Sequence, residues 1–221
     1  MDLKVFFGNA AIVCTVASFF SGAFVCKKIW RKGSSADISP FPFLAGVLCG
    51  VLWLRYGLFV KDPVVISVNT IGLLFQTIYV LWYYVFTLNK STLHRQLLGT
   101  VILLGGLFYY LIYLTKDESS AIQASGLMAS ASSLMFCAAP FASLADVIKT
   151  KSVENLPFPI IISTFVVTSL WFIYGFLLND KYIQVPNFIG CLLALFQLSL
   201  FAIYPSKRHN VDNEKCLDDV A

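Results

Sequence analysis

Charge is scarce in this chain. Of its 221 residues only 13% are charged while 58% are hydrophobic, and the mean hydropathy is +0.77. Soluble domains carry about 25% charged residues, so the composition excludes a soluble enzyme or binding module. It describes a membrane protein with little mass outside the bilayer. Histidine is almost lacking: His94 and His209 are the two, and both lie outside the apolar runs. The six cysteines, at 14, 26, 49, 137, 191 and 216, make no C-x-x-C pair and no cluster with histidine. Neither a zinc site nor a redox dithiol is indicated, and no cofactor or metal is expected. There is no Ser/His/Asp grouping and no phosphate-cradling loop, which leaves an enzyme without machinery. The net charge of +4 is modest, and nucleic acid is not expected as a partner. No Asp or Glu falls deep in an apolar run, Asp146 lying at the end of one and Asp180 in a connector. Proton-coupled carriers keep an ionisable group at membrane depth. Uncoupled passage is therefore the more economical expectation.

What the chain has in abundance is apolar length. Runs long enough to cross a bilayer, about 20 residues each, lie near 5–26, 41–60, 64–88, 97–115, 122–145, 158–178 and 183–204. Seven helices are expected. The connectors alternate in charge. Lys27, Lys28, Arg31, Lys32, Lys90, Arg95, Lys149, Lys151, Lys207, Arg208 and Lys215 fall on one side, against Lys4, Arg55, Lys61, Lys116 and Lys181 on the other. The richer side is expected in the cytoplasm, with the N-terminus outside and the C-terminus inside. The start of the chain reads as a retained first helix rather than a cleaved signal.

The runs repeat. Trp53, Tyr56, Gly57, Asp62, Asn69 and Gly72 recur as Trp171, Tyr174, Gly175, Asp180, Asn187 and Gly190, and 171−53, 187−69 and 190−72 all equal 118. A shared register of this kind marks an internal repeat. Helices 1–3 and 5–7 are the copies, with the fourth as linker. Corresponding helices are four spans apart, so both copies point the same way and are related by an axis along the membrane normal. The expected segments are 1–90 for the first repeat, 91–120 for the linker, 121–204 for the second repeat and 205–221 for a polar cytoplasmic tail. The fold class is all-α integral membrane, two parallel three-helix repeats joined by a linker helix. A repeat axis between Asn69 and Asn187 places two carboxamides at one depth. Such groups donate and accept together.

From Gly8-Asn9 to Tyr204 the sequence resembles the SWEET (MtN3/saliva) sugar transporters, the animal members most. The resemblance rests on Lys149-Thr150-Lys151-Ser152-Val153-Glu154-Asn155-Leu156-Pro157-Phe158, on Trp171-Phe172-Ile173-Tyr174-Gly175 and on Pro186-Asn187. It implies parallel repeats with the substrate near the midplane between them, the arrangement for which SWEET proteins are themselves a standard example. It also implies substrate contact by Asn69, Asn187 and Trp171. Trp53 stands at the first-half counterpart of Trp171, and an indole face stacks well on a pyranose ring. Cys49 and Val167 share the faces of the two tryptophans one turn away and are further candidates. Tyr56, Tyr174 and Asp180 match positions that close an outer gate, whereas Lys61 and Asp62 read as solvated loop charges. The family usually has a proline in each of helices 1, 2, 5 and 6. Pro40, Pro140 and Pro157 fit that hinge set, but the helix 1 position holds Gly22. Pro186 is a further candidate bend.

The expectation is a bidirectional, facilitative carrier of a mono- or small disaccharide, glucose-like, working by alternating access in the plasma membrane or Golgi. Its partners are the sugar and the lipid bilayer. A homo-oligomer is open, since some family members form one. The alternatives are a proton-linked amino-acid carrier of the PQ-loop type and a seven-helix receptor or sorting protein. The chain's N-x-[ST] sequon, Asn89-Lys90-Ser91, falls in a connector that the charge bias places inside, so it is expected to stay bare.

Overall fold

A computed structural model of the protein describes residues 2–136, 138–154 and 156–204. The expected polar tail over 205–221 lies outside the described residues. All regular structure among the described residues is helical: α1 (Leu3–Phe19), α2 (Ser21–Lys32), α3 (Phe41–Val60), α4 (Pro63–Val85), α5 (Ser91–Tyr109) with a π-turn (Tyr110–Leu114), α6 (Glu118–Met135), α7 (Ala138–Thr150), α8 (Phe158–Leu178) and α9 (Lys181–Ile203). Among the described residues, six stretches are long and apolar enough to cross a membrane, α1 and α2 together counting as one. The pair α6 and α7 is the seventh span, broken as α1 and α2 are.

Those two breaks fall at equivalent places, around Phe20 and just after Met135. Pro140 sits in the first turn of α7, beyond the break, where its missing N–H removes no helix bond. Gly22 lies just beyond the break in the first span. Its hydrogen faces the ring of Tyr79 so closely that a Cβ there would overlap it, and the Tyr79 hydroxyl donates to Phe19 O at 2.9 Å. Tyr79 thus occupies a carbonyl that the break leaves without a helical partner. Pro40 and Pro157 cap the starts of α3 and α8.

The two apolar hairpins turn in one way. Lys61 and Asn179, both at φ 56°, end α3 and α8 in the left-handed region. The following N–H groups, of Asp62 and Asp180, then return to Gly57 O and Gly175 O at 3.0 and 2.9 Å, satisfying last-turn carbonyls. A Cβ on Gly57 or Gly175 would lie 2.9 Å from Val65 or Ile183 of the next helix, so glycine lets the hairpin arms touch.

Six helices close a ring in the order α1, α4, α3, α6, α9, α8, with α5 outside it against α3. The ring has two kinds of seam. α3 with α4 and α8 with α9 are hairpins within a repeat; α1 with α8 and α3 with α6 join one repeat to the other. Leu74, Ile78, Leu81 and Val85 of α4, spaced as one helical face, are exposed and form part of the lipid-facing surface. Among the described residues, buried apolar side chains fall into three clusters. The cluster around Leu52, Trp53, Tyr56, Val65, Ala129 and Ile183 draws on both repeats. Of the other two, one gathers around Ile29, Phe43 and Tyr83 of the first repeat with Leu93 of α5, and one around Val147, Ile161 and Leu193 within the second. The repeats are fused at the end where α3 turns into α4, and separate at the end carrying Pro40 and Pro157.

Candidate functional site

Inside the ring is a cavity of about 140 Å³ lined by Thr15, Phe19, Trp53, Val65, Val68, Asn69, Ser133, Trp171, Ile183 and Asn187. None of these side chains is ionisable. Asn69 donates to Val65 O and Asn187 to Ile183 O, each at 2.8 Å and each one turn back on its own helix. The bond fixes the carboxamide's rotation but uses one of its two N–H groups. Among the described residues, the second N–H and the carbonyl oxygen of each take no further partner.

The tryptophans are held across the repeat boundary. Trp53 Nε1 donates to Ser133 Oγ at 2.8 Å, and Trp171 Nε1 donates to Thr15 Oγ1 at 2.9 Å. Thr15 and Ser133 are themselves 118 residues apart. Each indole also meets the tyrosine one turn on, edge to face, at 5.8 Å between ring centres: Trp53 with Tyr56 and Trp171 with Tyr174. With their N–H groups engaged, the rings remain as apolar walls of the cavity.

Above the cavity, at the hairpin end, the same crossing recurs. Tyr56 OH donates to Asp180 Oδ2 at 2.7 Å, and Tyr174 OH to Asp62 Oδ2 at 2.8 Å. Each aspartate also caps its own helix, Asp62 accepting from the N–H groups of Val64 and Val65 and Asp180 from those of Tyr182 and Ile183. The reading of Asp62 as a solvated loop charge is overturned: it is 7% exposed and forms half of this seal. Aspartate seven residues before each asparagine stands about 10 Å from it along the helix axis.

At the opposite end the ring gapes. A vestibule of about 630 Å³ opens between α2, the start of α3 and the start of α8, lined by Phe19, Gly22, Phe43, Gln76, Val167 and Thr168 among others. Phe19 lines both spaces and stands between them. The structure is closed at the Tyr–Asp end and open at the proline end.

The structure therefore brings Asn69, Asn187, Trp53 and Trp171 to one cavity, and Tyr56, Tyr174 and Asp180 to one seal. Val167 lines the vestibule instead. Cys49 lies behind Ser133, its Sγ 3.9 Å from the serine oxygen.

A family described as a sugar efflux transporter for intercellular exchange matches this chain twice, over residues 5–91 and 123–209. The protein named sugar transporter SWEET1 of Drosophila pseudoobscura pseudoobscura is 39% identical over 211 residues, 95% of this chain and 93% of that one. The chain belongs to the SWEET family. The human protein named sugar transporter SWEET1 is 33% identical over 90% of either chain. A solved structure of a eukaryotic SWEET transporter superposes with TM-score 0.82 at 29% identity, covering 91% of this chain and 96% of that one. This SWEET chain is thus a membrane transporter rather than an enzyme.

Three residues of the cavity and its seal escape a reading based on residue type alone. Thr15 and Ser133 look like ordinary small polar residues of helices, and Asp62 like a loop charge. The signal that finds them is the offset itself, which pairs hydroxyl with hydroxyl and aspartate with aspartate.

Proposed function

We propose that this SWEET protein carries a mono- or small disaccharide, glucose-like, down its concentration gradient by alternating access, without a coupled proton. The observation that carries the reading is the pair of crossed bonds, Tyr56 to Asp180 and Tyr174 to Asp62, closing one end of a cavity whose other end opens to a vestibule. A neutral polyol suits that cavity. Two carboxamides have donors and acceptors to spare, and two indoles offer apolar faces for the ring's C–H groups. An amino acid would bring two charges into a lining without an ionisable group, which disfavours the amino-acid carrier.

In this reading the sugar binds between Asn69 and Asn187, against Trp171 and Trp53. The repeats then rock about the level of the cavity: the vestibule closes as the Tyr–Asp bonds part. Gly22, Pro40, Pro140 and Pro157 flank the breaks and helix starts that such a motion would bend. The linker comprises α5 and its π-turn, within 91–120, which agrees with the gap between the two family matches. The charge bias supports the N-terminus and the Tyr–Asp seal facing outward and the vestibule facing the cytoplasm, at the plasma membrane or Golgi.

Uptake of radiolabelled glucose into liposomes holding the pure protein tests the function. Saturable uptake that equilibrates without accumulating supports it. Flux no greater than in protein-free liposomes, for glucose and for other hexoses and disaccharides alike, overturns it.

A further inference from the structure

Pro186 stands inside α9, one residue before Asn187. Proline has no N–H, so the carbonyl of Tyr182, four residues earlier, lacks the donor its helix would otherwise give. In an apolar bundle such a carbonyl needs another partner. Ser130 of α6 is that partner. Its hydroxyl donates to Tyr182 O at 2.8 Å, and the residue is 8% exposed. One turn earlier on the same face of α6, Gly126 admits the Tyr182 ring, which would lie 2.6 Å from a Cβ at that position.

The first repeat does without this arrangement. At the equivalent positions, 130−118 = 12 and 186−118 = 68, stand Ile12 and Val68. Val68 has an N–H for its own helix, and Ile12 has no hydroxyl to give. Serine with proline in one repeat thus answers isoleucine with valine in the other. Asn69 and Asn187 make the same bond to their own helices, yet the helix turn leading to each is held differently.

We propose that Ser130 is a positioning residue for Asn187. By bonding the carbonyl that Pro186 leaves free, it holds the first turn of α9 on α6. It thereby sets the depth and direction at which Asn187 meets the sugar. The proposal rests on Asn187 being a sugar ligand. Without the Ser130 bond, the helix at Pro186 is a loose joint directly beside that ligand, and the carboxamide no longer comes preorganised to the site.

The test compares Ser130→Ala, Ser130→Thr, Ile12→Ala and Asn187→Ala in purified full-length protein. Glucose affinity is read from tryptophan fluorescence and paired with liposome uptake per folded protein. Ser130→Ala is expected to weaken glucose binding about threefold to tenfold. Ser130→Thr, which keeps the hydroxyl, stays within about twofold of the unaltered protein, and so does Ile12→Ala. A role in folding alone would lower the yield and leave the affinity of the folded fraction untouched, and that result overturns the proposal. Equal loss in Ser130→Thr and Ser130→Ala overturns it too. Weakened binding in Asn187→Ala with unchanged binding in Ser130→Ala removes this proposal alone. Unchanged binding in Asn187→Ala removes the ligand reading and this proposal with it. If Ser130→Ala yields no folded protein, Pro186→Ala returns the backbone donor to Tyr182 O. Ser130→Ala added to Pro186→Ala is then expected to recover yield and to match the affinity of Pro186→Ala. Failure to do either overturns the proposal.

Discussion

Tyr174 of the second repeat donates to Asp62 of the first at 2.8 Å, and Tyr56 of the first donates to Asp180 of the second at 2.7 Å. The two bonds are one contact written twice by the repeat. Neither can form within its own repeat's share of the ring. They therefore report directly on how the halves sit against each other at this end.

The first prediction follows from that geometry. Tyr56→Phe with Tyr174→Phe keeps both rings and removes both bonds, each contributing about 0.5–1.5 kcal/mol to the closed seal. The population open at this end is expected to rise about fivefold or more. A cysteine placed at Val68 in the cavity, on a background without native cysteines, would then react faster with a maleimide supplied from that side. Unchanged reaction rate in the double variant would show that the seal is held by packing alone.

Asn69→Ala and Asn187→Ala are each expected to abolish sugar uptake while the protein still reaches the membrane in normal amount. Either change leaves sugar hydroxyls without a partner in a site shielded from water, at a cost of about 1–3 kcal/mol per lost partner. Uptake at the unaltered rate in both variants, at equal surface expression, would move the binding site elsewhere.

The crossed tryptophan bonds make a symmetric prediction. Ser133→Ala strands the indole N–H of Trp53, and Thr15→Val strands that of Trp171. Each unpaired donor costs about 1–3 kcal/mol, and sugar affinity should fall by similar factors in the two variants. Titration by tryptophan fluorescence checks it. Normal affinity in both would mean that the indole orientation does not depend on these hydroxyls.

Because the cavity lining has no ionisable side chain, a pH gradient is expected to have no power to drive accumulation. Influx and efflux should equalise at equal sugar on both sides. Internal sugar exceeding external sugar in proteoliposomes under an imposed pH gradient would contradict uncoupled transport.

Orientation has its own measurement. With native cysteines removed, Lys116→Cys and Lys181→Cys should label with an impermeant maleimide on intact cells. Lys90→Cys and Lys149→Cys should label only after permeabilisation, and Asn89 should carry no glycan. The reverse pattern would place the Tyr–Asp seal in the cytoplasm.

Much of this protein was legible in its sequence because membrane folds write plainly. Backbone groups in lipid must bond within a helix, so apolar run length alone marked the spans, and the offset of 118 marked the repeat and the equivalence of Asn69 with Asn187. The same offset held Thr15 against Ser133 and Asp62 against Asp180, but residue type gave no reason to read those pairs as part of a site. What the sequence did not determine was partnership. Tyr174 stands 112 positions after Asp62 in no pattern of its own; it finds that aspartate only when α1 packs on α8 and α3 on α6 to close the ring. Tyr79 filling the space at Gly22, and Ser130 answering Pro186, are likewise contacts between distant segments. Nor could the chain say which end is shut. In an alternating-access carrier the two packings would use the same helices, and the tertiary structure, fused at Tyr56 and Tyr174 and parted at Pro40 and Pro157, is the one shut at the Tyr–Asp end.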